Sequence, residues 1–428
     1  MSVGLRENSR VAVVGLGYVG LPLALRLSER FKVVGLDQDV ARIAELLRGH
    51  DRTGEIATSI LKSTALIPTS ESLQIVAADI YIVTVPTPVD ADNRPDLSAV
   101  IAACVTIGGA MRPGAIVVFE CTVYPGVTED ICGRELEDAS GLKRGVDFFL
   151  GYSPERINPG DREHTVDRII KVVAGENENV TDVLCDLYGQ VTDGGVYRAE
   201  NIKTAEAAKV IENAQRDINI AFVNEVAIIC SHLGIKTHDV LATARSKWNF
   251  LPFEPGLVGG HCIGVDPYYI AHLARELGHN SEVILAGRKI NDSMAGFVVE
   301  QIVEALAGTA SARILVLGLT FKENVPDLRN SKVADLIAGL GERGHRVDVH
   351  DPTADPVEAQ MLYGIELLTD LDAADGYDAV IGAVSHHAYR KFNQRSFAKI
   401  LVPGGVIADL KGMWRTVDVG ERFRRWEL

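Results

Sequence analysis

Residues 10–37, RVAVVGLGYVGLPLALRLSERFKVVGLD, bound the fold more tightly than any other stretch. A β-branched strand runs into a glycine turn, a helix with apolar residues at helical spacing follows, and a second strand ends on an acid. Gly15, Gly17 and Gly20 lie where backbone must approach a pyrophosphate at the positive end of a helix, and Asp37 stands where a ribose hydroxyl is held. A bare tight turn also uses glycine, but it does not require the whole unit of strand, turn, helix, strand and acid. The unit predicts a doubly wound sheet that binds a dinucleotide. An acid at Asp37 would repel a 2′-phosphate, which favours NAD over NADP.

Further apolar runs bounded by turn residues follow at YIVTVP (81–86), AIVVFE (115–120) and DFFLGYSPE (147–155). From Thr204 to His232 apolar residues recur at helical spacing without Pro or Gly, and Gly234 supplies a stop. Such a helix is about 43 Å long at 1.5 Å per residue, and it either joins two domains or forms a dimer seam. At residue 313 the opening pattern returns as RILVLGLT, a helix through DLIAGLGERG, and HRVDVHD ending on Asp351, with later strands at 378–384 and 405–412. This second copy lacks GxGxxG and carries FKENVPDLRNS at its turn, so a different ligand is expected there. The predicted fold is α/β: two Rossmann-like doubly wound domains joined by a long central helix, with boundaries at 1–200, 201–300 and 301–428.

A net charge of −15 disfavours nucleic acid and anionic membrane, both of which require clustered Lys and Arg. The N-terminus MSVGLRENSR has no apolar run resembling a secretory signal, and no segment approaches about 18 uninterrupted apolar residues, so the cytoplasm is the expected compartment. Six cysteines without a CxxC pair argue against zinc and against a disulfide framework.

One cysteine stands apart. Cys262 sits in GLVGGHCIGVD (256–266), flanked by glycines and close before a helix that Asp266 caps and Pro267 opens. A helix N-terminus lowers a thiol pKa, so Cys262 reads as a nucleophile, against the alternative of a small buried hydrophobe. Asp266 is an N-cap, a catalytic acid, or both. Lys209 and Asn213, four apart, share one face of the long helix and could hold an oxyanion, or Lys209 could be solvated. Glu155 in YSPER is a general acid/base or a helix-starting acid. Lys322 and Arg329 fit a phosphate or a salt-bridged loop, the stretch also carrying Glu323 and Asp327. His386 and His387 follow a strand without a second ligand pair, so no metal is expected.

Taken together, VAVVGLGYVGLPLA, ECTVYPG, SPERINPGD, KWNFLPFEPGLVGGHCIGVDPYYI, FKENVPDLRNS and DLKGMWR resemble the UDP-sugar 6-dehydrogenases along nearly the whole chain. The resemblance implies an N-terminal NAD domain, a central dimerisation region carrying the cysteine loop, a C-terminal UDP-sugar domain and at least a homodimer. It implies oxidation of the C6 alcohol to a carboxylate with two NAD, the second oxidation passing through a Cys262 thiohemiacetal and thioester. Asp266 and Lys209 would assist proton transfer and water activation, Asn213 would hold an oxyanion, and Glu155 would be an acid/base. Gly15, Gly17, Tyr18, Val19, Gly20, Asp37, Arg42, Thr87, Thr122 and Arg329 would contact NAD. Glu155, Arg156, Lys209, Asn213, Phe253, Gly259, Phe321 and Lys322 would contact the sugar nucleotide, with Arg245 supplied by a neighbouring subunit. The UDP-glucose enzymes carry a second glutamate where this chain has Pro159, and a lysine where it has Val265. The wording is closer to the branch acting on UDP-N-acetylhexosamines for surface polysaccharides, UDP-N-acetylglucosamine first. UDP-N-acetylmannosamine, UDP-N-acetylgalactosamine and UDP-glucose are the alternatives within the family. A two-electron hydroxyacid-type dehydrogenase and a non-enzymatic nucleotide-binding scaffold are those outside it.

Overall fold

The computed structural model describes residues 4–5, 9–155, 165–260 and 263–428, so Arg156 and Cys262 lie outside the described residues. The chain forms two compact units, Met1–Glu212 with Tyr268–Asn280, and Asn213–Pro267 with Ser281–Leu428.

In the first unit, β1 (Arg10–Val14), β2 (Lys32–Leu36), β3 (Ile67–Thr69), β4 (Ile80–Val83), β5 (Ala115–Phe119), β6 (Phe148–Tyr152), β7 (Lys171–Gly175) and β8 (Val196–Arg198) form one sheet. Its order is β3-β2-β1-β4-β5-β6-β7-β8. Strands β1 to β6 are parallel, whereas β7 turns antiparallel to β6 and β8 follows β7. Val11 and Val13 enter one core and Ala12 and Val14 the other, so both faces of β1 are covered and the strand is apolar throughout. The helix Gly20–Ser28 buries Leu21, Leu23 and Leu27 against this sheet, and each contributes about 2 kcal/mol relative to exposure. The segment Tyr268–Asn280 belongs to the same unit. The Tyr269 hydroxyl donates to the Pro88 carbonyl at 3.1 Å, and the Tyr124 ring meets those of Tyr269 and His272 at 6.2 and 5.4 Å.

The second unit carries β9 (Arg313–Leu317), β10 (Arg346–His350), β11 (Tyr377–Gly382), β12 (Leu401–Asp409) and β13 (Arg424–Glu427). They are all parallel, in the order β10-β9-β11-β12-β13. In each sheet the strand order reverses beside the first strand, and the carboxyl ends at that reversal form the crevice where wound sheets bind ligands.

The predicted long helix runs from Ile202 to Leu233, and the two units divide within it. Its start is set by Asn201, whose side chain accepts from the Thr204 amide at 2.8 Å. Its end is set by Gly234 at φ +68, which lets the Ile235 amide reach back to the Cys230 carbonyl at 3.1 Å. Among the described residues no helix is long and apolar enough to cross a membrane.

Glu206 on this helix is fully buried and accepts the Gly126 and Thr128 amides at 2.6 and 2.9 Å, satisfying donors at the start of the helical turn Val127–Cys132. Burial outweighs those hydrogen bonds and raises its carboxyl to about 7. A raised folded-state pKa favours folding fully below the ordinary value and loses that contribution as pH climbs through about 7. Thermal melts from pH 5 to 8 should therefore show a decline in wild type, on the order of 3 kcal/mol from this group, that is shallower in Glu206→Gln.

Candidate active site

The glycine turn leaves β1 with Gly15 at φ +98, and a Cβ there would lie 2.9 Å from the Thr84 carbonyl oxygen. A Cβ on Gly20 would lie 1.9 Å from the Gly15 oxygen. The fold itself therefore demands these two glycines. Gly17 is different: it is exposed, and a Cβ there would meet nothing within 4 Å. No protein contact accounts for it, whereas the close approach of a pyrophosphate does. The helix Gly20–Ser28 has no side-chain cap hydrogen bond and no acid in its first turn, so its N-terminal end suits an anion. Tyr18 and Val19 stand half-buried on that turn.

Asp37 is half-buried at the end of β2, where Leu16 N–H donates to Oδ2 at 2.8 Å and Asp39 N–H to Oδ1 at 2.9 Å. A carboxylate has about four acceptor sites, so these two bonds orient it and leave capacity for ribose hydroxyls. Arg42 is buried behind the turn. Its Nε donates to the Leu16 carbonyl at 3.1 Å and its Nη2 lies 2.7 Å from Asp51, so it supports the turn from inside the protein. Thr87 is buried after β4, and Thr122 is half-buried after β5. The Tyr152 hydroxyl fixes the backbone beside Thr122 by donating to the Cys121 carbonyl at 3.0 Å. Cys104, Cys121 and Cys132 are buried in one apolar core, and burial pushes the Cys121 thiol up.

Lys209 is only 6% exposed, which removes the solvated reading left open by the sequence. Glu155 is buried at the carboxyl end of β6 and accepts from Lys171 Nζ at 2.6 Å. Lys171 also donates to Glu120 at 2.9 Å, and the Tyr188 hydroxyl donates to Glu120 in turn. Sequence reasoning missed Glu120, Lys171 and Tyr188. The trace of Glu120 and Lys171 is a charged residue at the edge of an apolar run, in VVFEC and in IIKVV, and Tyr188 lies within a helical pattern.

In the second unit the Asn213 amide donates to the Asp266 carboxylate, and both side chains are almost wholly buried. Asp266 is the first residue of the helix Asp266–Glu276, one position inside the predicted cap. The loop leading toward Cys262 is clamped at two points. Asn224 accepts the Gly256 amide at 2.8 Å and donates to its carbonyl at 3.1 Å. Asn330 offers its carbonyl to the Gly260 amide and its side-chain amide to the Gly260 carbonyl, both at 3.4 Å. A Cβ on Gly259 would lie 2.5 Å from the Asn330 oxygen, and one on Gly260 2.7 Å from the Phe321 ring. The structure thus packs Gly259 on Asn330 and Gly260 on Phe321. Lys322 is half-buried beside Phe321.

Arg245 pairs with Glu254 at 2.7 Å and donates to the Phe253 carbonyl at 3.0 Å, which joins two expected substrate residues. Arg329 makes a two-pronged ion pair with Asp327, at 3.0 and 2.6 Å, as the salt-bridged reading of that loop has it. His386 is wholly buried. Its Nδ1 accepts from the Asn324 amide at 3.0 Å, which assigns the proton to Nε2, 3.0 Å from Asp351. Among the described residues no group of three or more His, Cys, Asp or Glu side chains is placed to hold a metal ion.

The two kinds of glycine separate in a pair of variants. Gly17→Ala should melt within about 2 °C of wild type while its KM for NAD rises about tenfold or more. Gly20→Ala should lose thermal stability outright, by several degrees in a melt.

Three family models match in order along the chain. They are the NAD binding domain of the UDP-glucose/GDP-mannose dehydrogenase family at residues 9–192, its central domain at 203–293 and its UDP binding domain at 315–416. Protein CapL of Staphylococcus aureus is 48% identical over 98% of this chain and 100% of its own length. A UDP-N-acetyl-D-glucosamine 6-dehydrogenase of Pseudomonas aeruginosa is 47% identical over 95% of this chain and 97% of its own. Among solved structures, a UDP-D-ManNAc dehydrogenase from Pyrococcus horikoshii aligns with a TM-score of 0.86 at 29% identity, over 97% of this chain and 98% of that one. The chain belongs to the UDP-glucose/GDP-mannose dehydrogenase family, and it is an NAD-dependent nucleotide-sugar dehydrogenase.

Proposed function

We propose that this enzyme oxidises the C6 hydroxyl of a UDP-N-acetylhexosamine, UDP-N-acetylglucosamine in the first place, to the carboxylate through a covalent adduct on Cys262. The observation that carries the reading is the buried Asn213–Asp266 pair, a carboxylate held by a neutral amide four residues after Cys262. Fixed by that hydrogen bond, the Asp266 carboxylate has a set position four residues after Cys262 from which it can act on a proton.

Bound NAD supplies the hydride acceptor for each of the two oxidations. Glu155 takes the proton of the C6 hydroxyl in the first. The Cys262 thiolate then adds to the aldehyde carbon, and Asn213 and Lys209 steady the oxyanion that forms. The second oxidation converts this thiohemiacetal to a thioester. Asp266, with Lys209, activates the water that hydrolyses it, releasing the carboxylate and restoring the thiol. Phe321, Lys322 and Gly259 belong to the sugar-nucleotide side of this reading. The regions 1–200, 201–300 and 301–428 serve NAD binding, dimerisation with the cysteine loop, and UDP-sugar binding. The relative named for UDP-N-acetyl-D-glucosamine at 47% identity supports that epimer over the one named for UDP-D-ManNAc at 29%. The product is a uronic acid for surface polysaccharide, made in the cytoplasm.

A panel of UDP-sugars with NADH counting tests the reading. Two NADH per sugar and a carboxylate product are expected with UDP-N-acetylglucosamine, and one NADH with a released aldehyde overturns it. Cys262→Ala should lower carboxylate formation by at least about 100-fold. Cys262→Ser should accumulate an ester adduct that mass spectrometry finds on the peptide containing residue 262, because an alkoxide leaves far less readily than a thiolate.

We also propose a homodimer formed along the long helix. Phe222, Ile229 and Leu233, spaced seven and four apart, are 55%, 52% and 65% exposed, a stripe that a second copy would cover. Light scattering should give at least a dimer for wild type and a monomer for Phe222→Glu, and an active wild-type monomer overturns the assignment.

A further inference from the structure

The first unit buries four ionisable side chains as one cluster. Glu120 follows β5, Glu155 follows β6, Lys171 opens β7 and Tyr188 lies on the helix Glu178–Gly189. They are 3%, 5%, 0% and 0% exposed. Lys171 Nζ donates to Glu155 Oε2 at 2.6 Å and to Glu120 Oε2 at 2.9 Å, and it stands 5.0 Å from the centre of the Tyr188 ring. The Tyr188 hydroxyl donates to Glu120 Oε1.

The reversal of β7 creates this arrangement. Its antiparallel register sets Tyr152 opposite Ala174, and continued three residues along it sets Glu155 opposite Lys171. A parallel β7 would have carried Lys171 to the other end of the sheet.

Within the cluster two buried carboxylates face one ammonium. In the first oxidation the proton of the C6 hydroxyl passes to Glu155, a hydride leaves C6 for NAD, and the C–O bond becomes C=O.

We propose that Lys171 is a positioning residue that fixes the Glu155 carboxylate for proton transfer, and that Glu120, held by Tyr188, fixes Lys171 in turn and sets a like charge against Glu155. The proposal rests on the acid/base role given to Glu155 above. The neighbours of Glu155 titrate as their mutual contacts require. Burial raises the Glu120 carboxyl, with Glu155's like charge adding to the rise against the pull of Lys171. Burial alone would lower the Lys171 ammonium, but Glu120 and then Glu155 outweigh it and hold it charged. Burial, with Glu120's charge, also pushes the Tyr188 phenol well up.

A purely structural ion pair and a tuned proton acceptor differ in how kcat/KM depends on pH. In full-length enzyme with NAD and UDP-N-acetylglucosamine, Lys171→Met removes the cation and should move the acid limb upward by about one pH unit or more. Glu120→Gln removes the like charge and should move it downward. Lys171→Arg should keep the wild-type limb, and KM for NAD should stay within about twofold in all three. If Lys171→Met does not fold, the downward shift in Glu120→Gln and the retained limb in Lys171→Arg decide the matter. Unshifted limbs, or shifts of the same sign, overturn the proposal while Glu155→Gln remains inactive. Full activity in Glu155→Gln overturns the acid/base reading itself, and the proposal with it.

Discussion

Both ligand-bearing sheet ends depend on one interaction: a carboxylate closing the second strand of the wound sheet grips the backbone of the turn after the first. In the N-terminal sheet Asp37 accepts the Leu16 amide at 2.8 Å. In the C-terminal sheet Asp351 accepts the Leu319 and Thr320 amides at 2.7 and 3.0 Å. Each turn is tied to its neighbouring strand as well, Gly15 N–H to the Leu36 carbonyl and Gly318 N–H to the His350 carbonyl, both at 2.8 Å. Hydrogen bonds to an ionised acceptor are worth about 1.5–3 kcal/mol apiece, enough to hold a glycine turn in one conformation. The two copies then part ways. Asp37 remains half-exposed and able to accept from a ribose, whereas Asp351 is buried against His386 and has no such role open to it. The same local device thus serves NAD in one half and a different ligand geometry in the other.

The alternation of strand and helix, the long helix with its stop at Gly234 and the second wound sheet were all legible, because each rests on contacts within a few turns or on period alone. The reversal of β7 was not, since a short apolar strand carries no mark of its direction. The buried polar groups were invisible for a related reason. Glu120, Lys171 and Tyr188 lie far apart in the chain, and a single charged residue beside an apolar run reads as the end of a strand. Only pairing across the sheet brings the strand ends at Glu120 and Lys171 together, with Tyr188 reaching them from a helix. The sequence likewise leaves unseen that the Arg42 guanidinium reaches the Leu16 carbonyl and Asp51.

The glycine loop before Cys262 illustrates how close packing shapes chemistry. Gly259 and Gly260 admit the Asn330 backbone and the Phe321 ring at distances no side chain would allow. Asn224, which fixes Gly256, is itself anchored by donating to Asn291 at 2.8 Å, and Asn291 donates to Asp217, whose partner Arg288 stands 2.5 Å away. A hydrogen-bonded chain of this kind ties the loop to the helices that carry it, so the backbone at Gly256 is positioned by the core of its unit.

The first unit is not continuous in sequence. It is assembled from Met1–Glu212 and from Tyr268–Asn280, and Tyr269, wholly buried, closes on Pro88 and Tyr124. During synthesis the ribosome must therefore deliver some fifty-five further residues, belonging to the other unit, before the last piece of the first can dock. Domains usually complete themselves in the order in which they are translated. Here the N-terminal half waits, unfinished, for its closing helix, and the long helix that leads out of it is made before the half it leaves is whole.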